Sequence, residues 1–199
     1  MHWTTRSGAP NDLSCQAHRV AYPQWTYFPL RHRPPDWVVT VTEAFAAAQA
    51  NVDSREVDGL ISDSVLRAIA PALTTAGFEV ELGKGAAQRV RRPVLFGENG
   101  QQRVAYEVDA VHDGHGIVVE VEAGRGARGN ALYRDLIRAS LIVDTRFLVV
   151  AMMQEYRISQ KNGGVTKVAS YLDSRAQLEA IYASGRLVLP FDGVLLVGY

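Results

Sequence analysis

Apolar and polar residues change period several times along this chain, and each change predicts an element. Residues 1–35 hold no sustained period; prolines interrupt them, and Trp25, Tyr27 and Phe28 break a polar run. That pattern predicts an N-terminal arm pinned to the surface by its rings, with packing favoured over base stacking as their role. From residue 36 the period is helical. Asp36, after Pro34-Pro35, reads as an N-cap, and Trp37, Val38, Val41, Phe45 and Ala48 share one side of a helix to about Asn51. The stripe Val65, Leu66, Ile69 and Leu73 predicts a second helix over roughly 59–76, which Pro71 should kink or divide and Gly77 should stop.

Beyond Gly77 the period falls to two. "FEVEL" (78–82) predicts a strand, "PVLF" a short one, and "GENGQQ", with Asn99-Gly100, a turn. "QRVAYEVDAVHDGHGIVVEVEAG" predicts a hairpin with two valine-rich arms. A two-residue type II′ turn, with Gly114 at its first central position, sets the register. Val111 then faces Val118, Ala110 faces Val119, Asp109 faces Glu120 and Glu107 faces Glu122. Alternation gathers Glu107, Asp109, Glu120 and Glu122 on one face, and Val108, Ala110, Val119 and Val121 on the other. A helix follows over about 130–145, with Leu132, Leu136, Ala139 and Val143 inward and Arg134 and Arg138 on another face. "RFLVVAMM" reads as a buried strand and "RISQKNGGVTK" as a polar, basic loop. Asp173 or Ser174 should cap a last helix to about Ser184, before strands at "RLVLP" and "GVLLVGY". The succession predicts an α/β fold with a mixed central sheet flanked by helices: an arm over 1–35 and one domain over 36–199, its core at 78–153.

Composition narrows this picture. The 199 residues are 47% hydrophobic, enough for one sizeable core. Lys plus Arg and Asp plus Glu are 21 each, so any nucleic-acid partner would have to be held by local patches. The most basic stretch, "GKGAAQRVRR", carries Lys84, Arg89, Arg91 and Arg92, and reads either as a solvated loop or as one that tracks phosphates. Cys15 is the only cysteine, which excludes an intramolecular disulfide and a cysteine-rich zinc site. With no apolar run of spanning length and no secretory signal at the N-terminus, an intracellular (cytoplasmic), soluble protein is expected.

The candidate chemistry lies in "IVVEVEAGRGARGN" (117–130). Like charges paired across a ladder destabilise it, and no lysine relieves the four acids. A divalent cation would reverse the sign of the interaction, and hard oxygen donors suit Mg²⁺. His112 and His115 flank the turn and are expected to be solvated.

Asp109, followed eleven residues on by Glu120-Val121-Glu122, resembles the core of the PD-(D/E)xK nuclease superfamily. That core has an acid on one hairpin arm and an acid-x-lysine triplet on the other, followed by a helix. The resemblance covers roughly 78–153. Val108 stands where the family has proline, and Glu122 where it has lysine. "VEVEAGRGARGNALYRDL" is most similar to a type II restriction-endonuclease branch, including the BamHI and BglII/BstYI types, which carries Glu or Gln there. The resemblance implies a restriction-endonuclease-like fold and Mg²⁺-dependent hydrolysis of DNA phosphodiesters. Its substrate would be double-stranded DNA read in sequence-specific fashion by a homodimer. It also implies roles. Asp109 and Glu120 would ligate Mg²⁺ with the Val121 carbonyl, and Glu122 would hold or deprotonate the attacking water or bind a second ion. Glu56 or Asp63 would add an acid from a preceding helix. Arg125, Arg128, Asn130, Arg134, Lys84, Arg89 and Arg91 would contact DNA.

Two alternatives stand beside this reading. "GRGARG" is literally G-x-G-x-x-G, the dinucleotide (NAD-type) fingerprint, in a strand–glycines–helix context. Against it, an antiparallel hairpin precedes the strand, Glu120 and Glu122 lie within that strand, and Asp144 is early and Glu155 late for the ribose acid. The other alternative is a non-catalytic nucleic-acid-binding module whose nuclease site is degraded at Glu122.

Overall fold

The long apolar runs become the middle of a six-stranded sheet in the computed structural model, which describes residues 21–124, 130–160 and 163–199. In chain order the elements are Gln24–Phe28 (β1), Trp37–Ala47 (α1), Gln49–Val52 (α2), Ser62–Thr75 (α3), Glu79–Val80 (β2), Val90–Phe96 (β3), Gln102–Val108 (β4) and Ala110–His112 (β5). Ile117–Glu122 (β6), Ala131–Ser140 (α4), Phe147–Met152 (β7), Tyr156–Ser159 (β8), Val165–Val168 (β9), Ser170–Ser184 (α5) and Gly193–Gly198 (β10) complete the chain. The central order is β1-β10-β7-β6-β5-β2, with β10, β7 and β6 parallel and the other pairings antiparallel. Parallel strands covered on both faces need near-continuous apolar sequence, which β7 and β10 supply. Helices lie on both faces. On β1, Thr26 bonds Tyr171 and Phe28 stacks on Tyr182, both of α5, while Tyr27 between them meets Trp37 of α1 edge-on.

Several expectations need correction. Residues 24–28 are not an irregular arm: β1 pairs with β10, with Tyr27 and Phe28 buried in the domain core. Asp36 makes no side-chain cap. α3 runs unbroken through Pro71, so one missing N–H is outweighed by burial of Val65, Leu66, Ile69 and Leu73. "FEVEL" contributes only Glu79–Val80 to a strand. "RISQKNGGVTK" is not a loop; it contains most of the β8–β9 hairpin. α5 begins at Ser170, upstream of both proposed caps. Residues 186–190 are not a strand, and Val143 lies past the end of α4, partly exposed. Among the described residues no helix is long and apolar enough to cross a membrane.

The hairpin register is as read: Ala110 pairs with Val119, Val111 with Val118 and His112 with Ile117. Its turn differs. Asp113–His115 form a 3₁₀ turn closed by Gly116 at φ +64, not a type II′ turn at Gly114. A Cβ at Gly116 would lie 2.6 Å from the Asp144 carbonyl oxygen, so both the left-handed backbone and the close approach require glycine there. The tip is not simply solvated: His112 is half-buried edge-on to Phe78, and its Nδ1 accepts from the His115 N–H at 3.2 Å.

Candidate active site

The hairpin does not continue past Asp109. β4 leaves the central sheet and pairs with β3, which puts Glu107 opposite Arg91 rather than Glu122. Glu107 therefore stands apart from the other acids. Its carboxylate is bridged by Arg89 at 2.6 Å and reached by Arg91 at 4.0 Å, at a half-open surface. The expected face of four acids loses this member. The physical reason is competition for a ladder: the local hairpin through Asn99-Gly100 captures β4 before β6 can.

At the point of departure Asp109 does two jobs. Its backbone carbonyl accepts from the Glu81 N–H at 2.8 Å, and its Oδ2 accepts from the Val121 N–H at 2.6 Å. The side chain thus satisfies a strand donor where β4 turns away, which holds the carboxylate against β6. Glu120 and Glu122, two apart on β6, point to one face, and both are buried. α4 packs over β6 and β7 and brings a further acid, Asp135, which is 1% exposed. Asp135 shares the inner side of α4 with Leu132, Leu136 and Ala139. It was missed in the sequence, although its spacing of three from Leu132 and four from Ala139 marks it as inward. Glu81 and Asp63 lie at the rim, and the charges of both act on Asp109. Of the two upstream acids considered, Asp63 is the one whose charge acts on Asp109, from an exposed position where it meets Lys84; Glu56 is exposed and its charge acts on Arg55 instead.

Burial dominates the electrostatics. It pushes Asp109 up to about 6, against the Val121 hydrogen bond and with the help of the Glu81 and Asp135 charges. Glu120 is held well above the usual carboxylate range by burial and then by Asp109 and Asp135, with Arg138 opposing. Burial and the Asp135 charge push Glu122 up to about 7 against Arg134. Asp135 is raised by burial, with Arg134 opposing. These are carboxyls short of positive charge.

Arginines supply part of that charge. Arg134 ion-pairs with Glu122, and its Nε donates to Asp135 Oδ1 at 3.0 Å, so the side chain expected on DNA is committed to the acids. Arg138 donates to the Glu107 backbone carbonyl at 2.8 Å and lies over the Tyr106 ring. The basic stretch is likewise engaged: Lys84 lies 3.5 Å from Asp63, Arg89 and Arg91 meet Glu107, and Arg92 bridges Glu79 and Asp113. Asn130 precedes α4, exposed and without a side-chain cap bond. Arg125 and Arg128 lie outside the described residues, as does "GRGARG" beyond Gly124.

Among the described residues no three His, Cys, Asp or Glu side chains form a ready metal-ligand set. The antiparallel hairpin that counts against a dinucleotide loop is present before β6, although β6, α4 and β7 also form a parallel βαβ unit. Comparison with known proteins returned no match: no family model, no curated relative and no solved structure.

Proposed function

We propose that this chain is a Mg²⁺-dependent endodeoxyribonuclease of the PD-(D/E)xK, restriction-endonuclease-like type, acting on double-stranded DNA. The observation that carries the reading is the convergence of Asp109, Glu120 and Glu122 with Asp135 in a buried cluster short of positive charge, on the hairpin and the helix after it. Three supports are independent of one another. An acid ends one arm, an acid-x-acid triplet lies on the other, and α4 follows. The donors are hard oxygens, which suit Mg²⁺, an ion that usually needs only one or two carboxylates beside water and phosphate. A buried oxygen, Asp135 Oδ2, meets no N–H donor among the described residues and lies against the Glu122 carboxyl.

Asp109 and Glu120, with the Val121 carbonyl, would hold the ion. Bound there, Mg²⁺ would acidify water and stabilise charge on a phosphoryl oxygen. Glu122, titrating near neutrality, is suited to taking the proton of the attacking water as the P–O bond breaks. Burial in the sheet fixes where that carboxyl stands, and the Tyr199 hydroxyl, donating to the Glu122 backbone carbonyl at 2.7 Å, holds the strand end. Arg125, Arg128, Asn130, Lys84, Arg89 and Arg91 would form the phosphate-contacting rim. Cleavage of both strands is most simply the work of a homodimer on a palindromic site, in the cytoplasm.

A plasmid-cleavage assay with Mg²⁺ tests this. Asp109→Ala and Glu120→Ala should abolish cutting, and Glu122→Gln should bind duplex normally but cut about 10²–10⁴-fold more slowly. Cleavage at the wild-type rate by either alanine variant overturns the site.

The nucleotide-binding reading keeps one specific observation. A cavity of about 450 Å³ lies just past the end of β7, lined by Leu60, Met153, Glu155, Tyr156 and Arg157 among others. Ligands of open α/β sheets bind beyond the carboxyl ends of the strands. Tight NAD binding by calorimetry, with duplex affinity indifferent to Arg125 and Arg128, would favour it.

A further inference from the structure

We propose that the β8–β9 ribbon reads base edges, its outer half entering the major groove of the duplex that is cut at the acid cluster. This rests on the DNA-cleaving reading above and adds to it a specificity element, outside the acids and the arginines, that supplies no reacting group.

Packing does not account for this ribbon. β8 and β9 form a two-stranded sheet of their own, apart from the six central strands. Two short strands by themselves are marginal in water. The outer half is exposed at Ser159, Gln160, Val165, Thr166 and Lys167, with Val165 60% exposed. The charge is one-sided: from Tyr156 to Leu172 the chain holds arginine and lysine but no acid. The inner half is braced. Arg157 pairs with Asp58 at 2.5 Å and Glu155 at 2.7 Å, and donates to the Arg55 backbone carbonyl. One end of the ribbon is thus tied to the loop before α3, and the other projects.

Its place is the end of the sheet where the acids lie. β8 follows shortly after β7, whose last residue, Met152, pairs with Glu122. The Gly124 N–H donates to Met153 Sδ at 3.2 Å, and the Ala123 N–H to the Ser62 hydroxyl at 3.2 Å, at the first residue of α3. Next to Ser62 is Asp63, with Lys84 at 3.5 Å. The basic stretch, the start of α3, the end of β6 and the root of the ribbon therefore follow one another past Glu122. A two-stranded ribbon fits the major groove, which is about 12 Å wide. Pairing sets Ser159 opposite Val165, and Gln160 hydrogen-bonds Thr166 across the ribbon. Amide and hydroxyl groups suit base edges, and the methyls of Val165 and Thr166 suit the thymine methyl. Lys167, its side chain 61% exposed, adds attraction to the backbone. A protein partner would find one exposed large apolar side chain on the ribbon among the described residues, Val165, which is too little for a docking face.

Digestion of a pool of randomised duplexes by the full chain with Mg²⁺, followed by sequencing of the cut ends, tests this. The wild type should prefer one sequence. Gln160→Ala/Thr166→Ala should cut that sequence about 10–100-fold more slowly, cut unrelated duplexes at the wild-type rate, and show a relaxed preference at one or two base positions. Both positions are exposed, so thermal unfolding should match the wild type. Lys167→Ala should bind preferred and unrelated duplexes more weakly by the same factor, with a salt slope lower by roughly one. An unchanged preference in the double variant overturns the inference, as does wild-type cutting that ignores sequence; in both cases the nuclease reading stands. A wild type that cuts no duplex defeats both.

Discussion

β6 and β7 lie side by side, parallel and in register, with Glu120 beside Val150 and Glu122 beside Met152. Five of the six residues of β7 and all six of β6 are buried. The environment is shared and the chemistry is not: β7 reads Phe-Leu-Val-Val-Ala-Met, and β6 reads Ile-Val-Val-Glu-Val-Glu. β7 has the residues that a doubly covered strand needs for stability. β6 places two carboxyls where burial disfavours their charge, and the helix above adds a third. A chain optimised only to fold would make the two strands alike. The difference marks β6 as the strand whose composition answers to something other than packing.

Three measurements bear on that contrast, and the largest effect comes from transplanting the acid. Val150→Glu places a carboxyl on β7, on the same face as Glu120, with none of the arrangement that accommodates Glu120. Urea denaturation should show a loss of about 4 kcal/mol or more. Wild-type stability would mean that acids are cheap anywhere in this sheet, and the contrast would lose its meaning.

The next effect is in pH. Glu122 stands at about 7 and Asp109 at about 6 in the fold, both above the unfolded values, so the native chain holds protons that the unfolded chain has released. The stability that these two carboxyls contribute should therefore be fullest below pH 4, be lost as the pH rises from about 4 through 7, and level off above. Between pH 5 and pH 8 the expected loss is roughly 2–3 kcal/mol. Denaturation of Glu120→Gln/Glu122→Gln across the same range should give a flatter profile. A wild-type profile that rises with pH would show that the acids are stabilised as charges.

The smallest effect belongs to the acid that the structure sets apart. Glu107 is bridged at an open surface, where an ion pair contributes little. Glu107→Gln should change stability by less than about 1 kcal/mol and leave the pH profile unaltered. A larger change in either would return Glu107 to the buried cluster.

Much of this was legible in the sequence. The turn signal around Asp113–Gly116 yielded the correct register, although the turn type differs, because the position of the turn fixes which residues face each other. The same arithmetic carried on to Glu107 and Glu122 and failed there. A pairing rule assumes that the ladder continues, and nothing within the hairpin says that β3 will take β4 away at Asp109. Asp135 could have been read from its helical spacing, but a carboxylate in an apolar stripe is discounted until its partner is known. The arginines show the same limit. Arg134, Arg89 and Arg91 look like free cations in a string of letters, and each meets an acid from a different element.

By itself, then, the sequence determined the elements whose signals are local: the helical stripes of α1, α3 and α4, the buried strands β6, β7 and β10, the inner hairpin register, and the shared face of Glu120 and Glu122. Period, turn chemistry and burial of valine act over a few residues, so neighbours in the chain suffice to read them. Only the tertiary structure decided that Asp109 satisfies Val121, that Glu107 leaves, that the charge of Asp63 rather than Glu56 acts on Asp109, and that Asp135 and Arg134 close over the acids. Those outcomes depend on which of several chemically acceptable partners lies nearest in space. That choice is made by packing whole elements together, not by any short stretch of sequence.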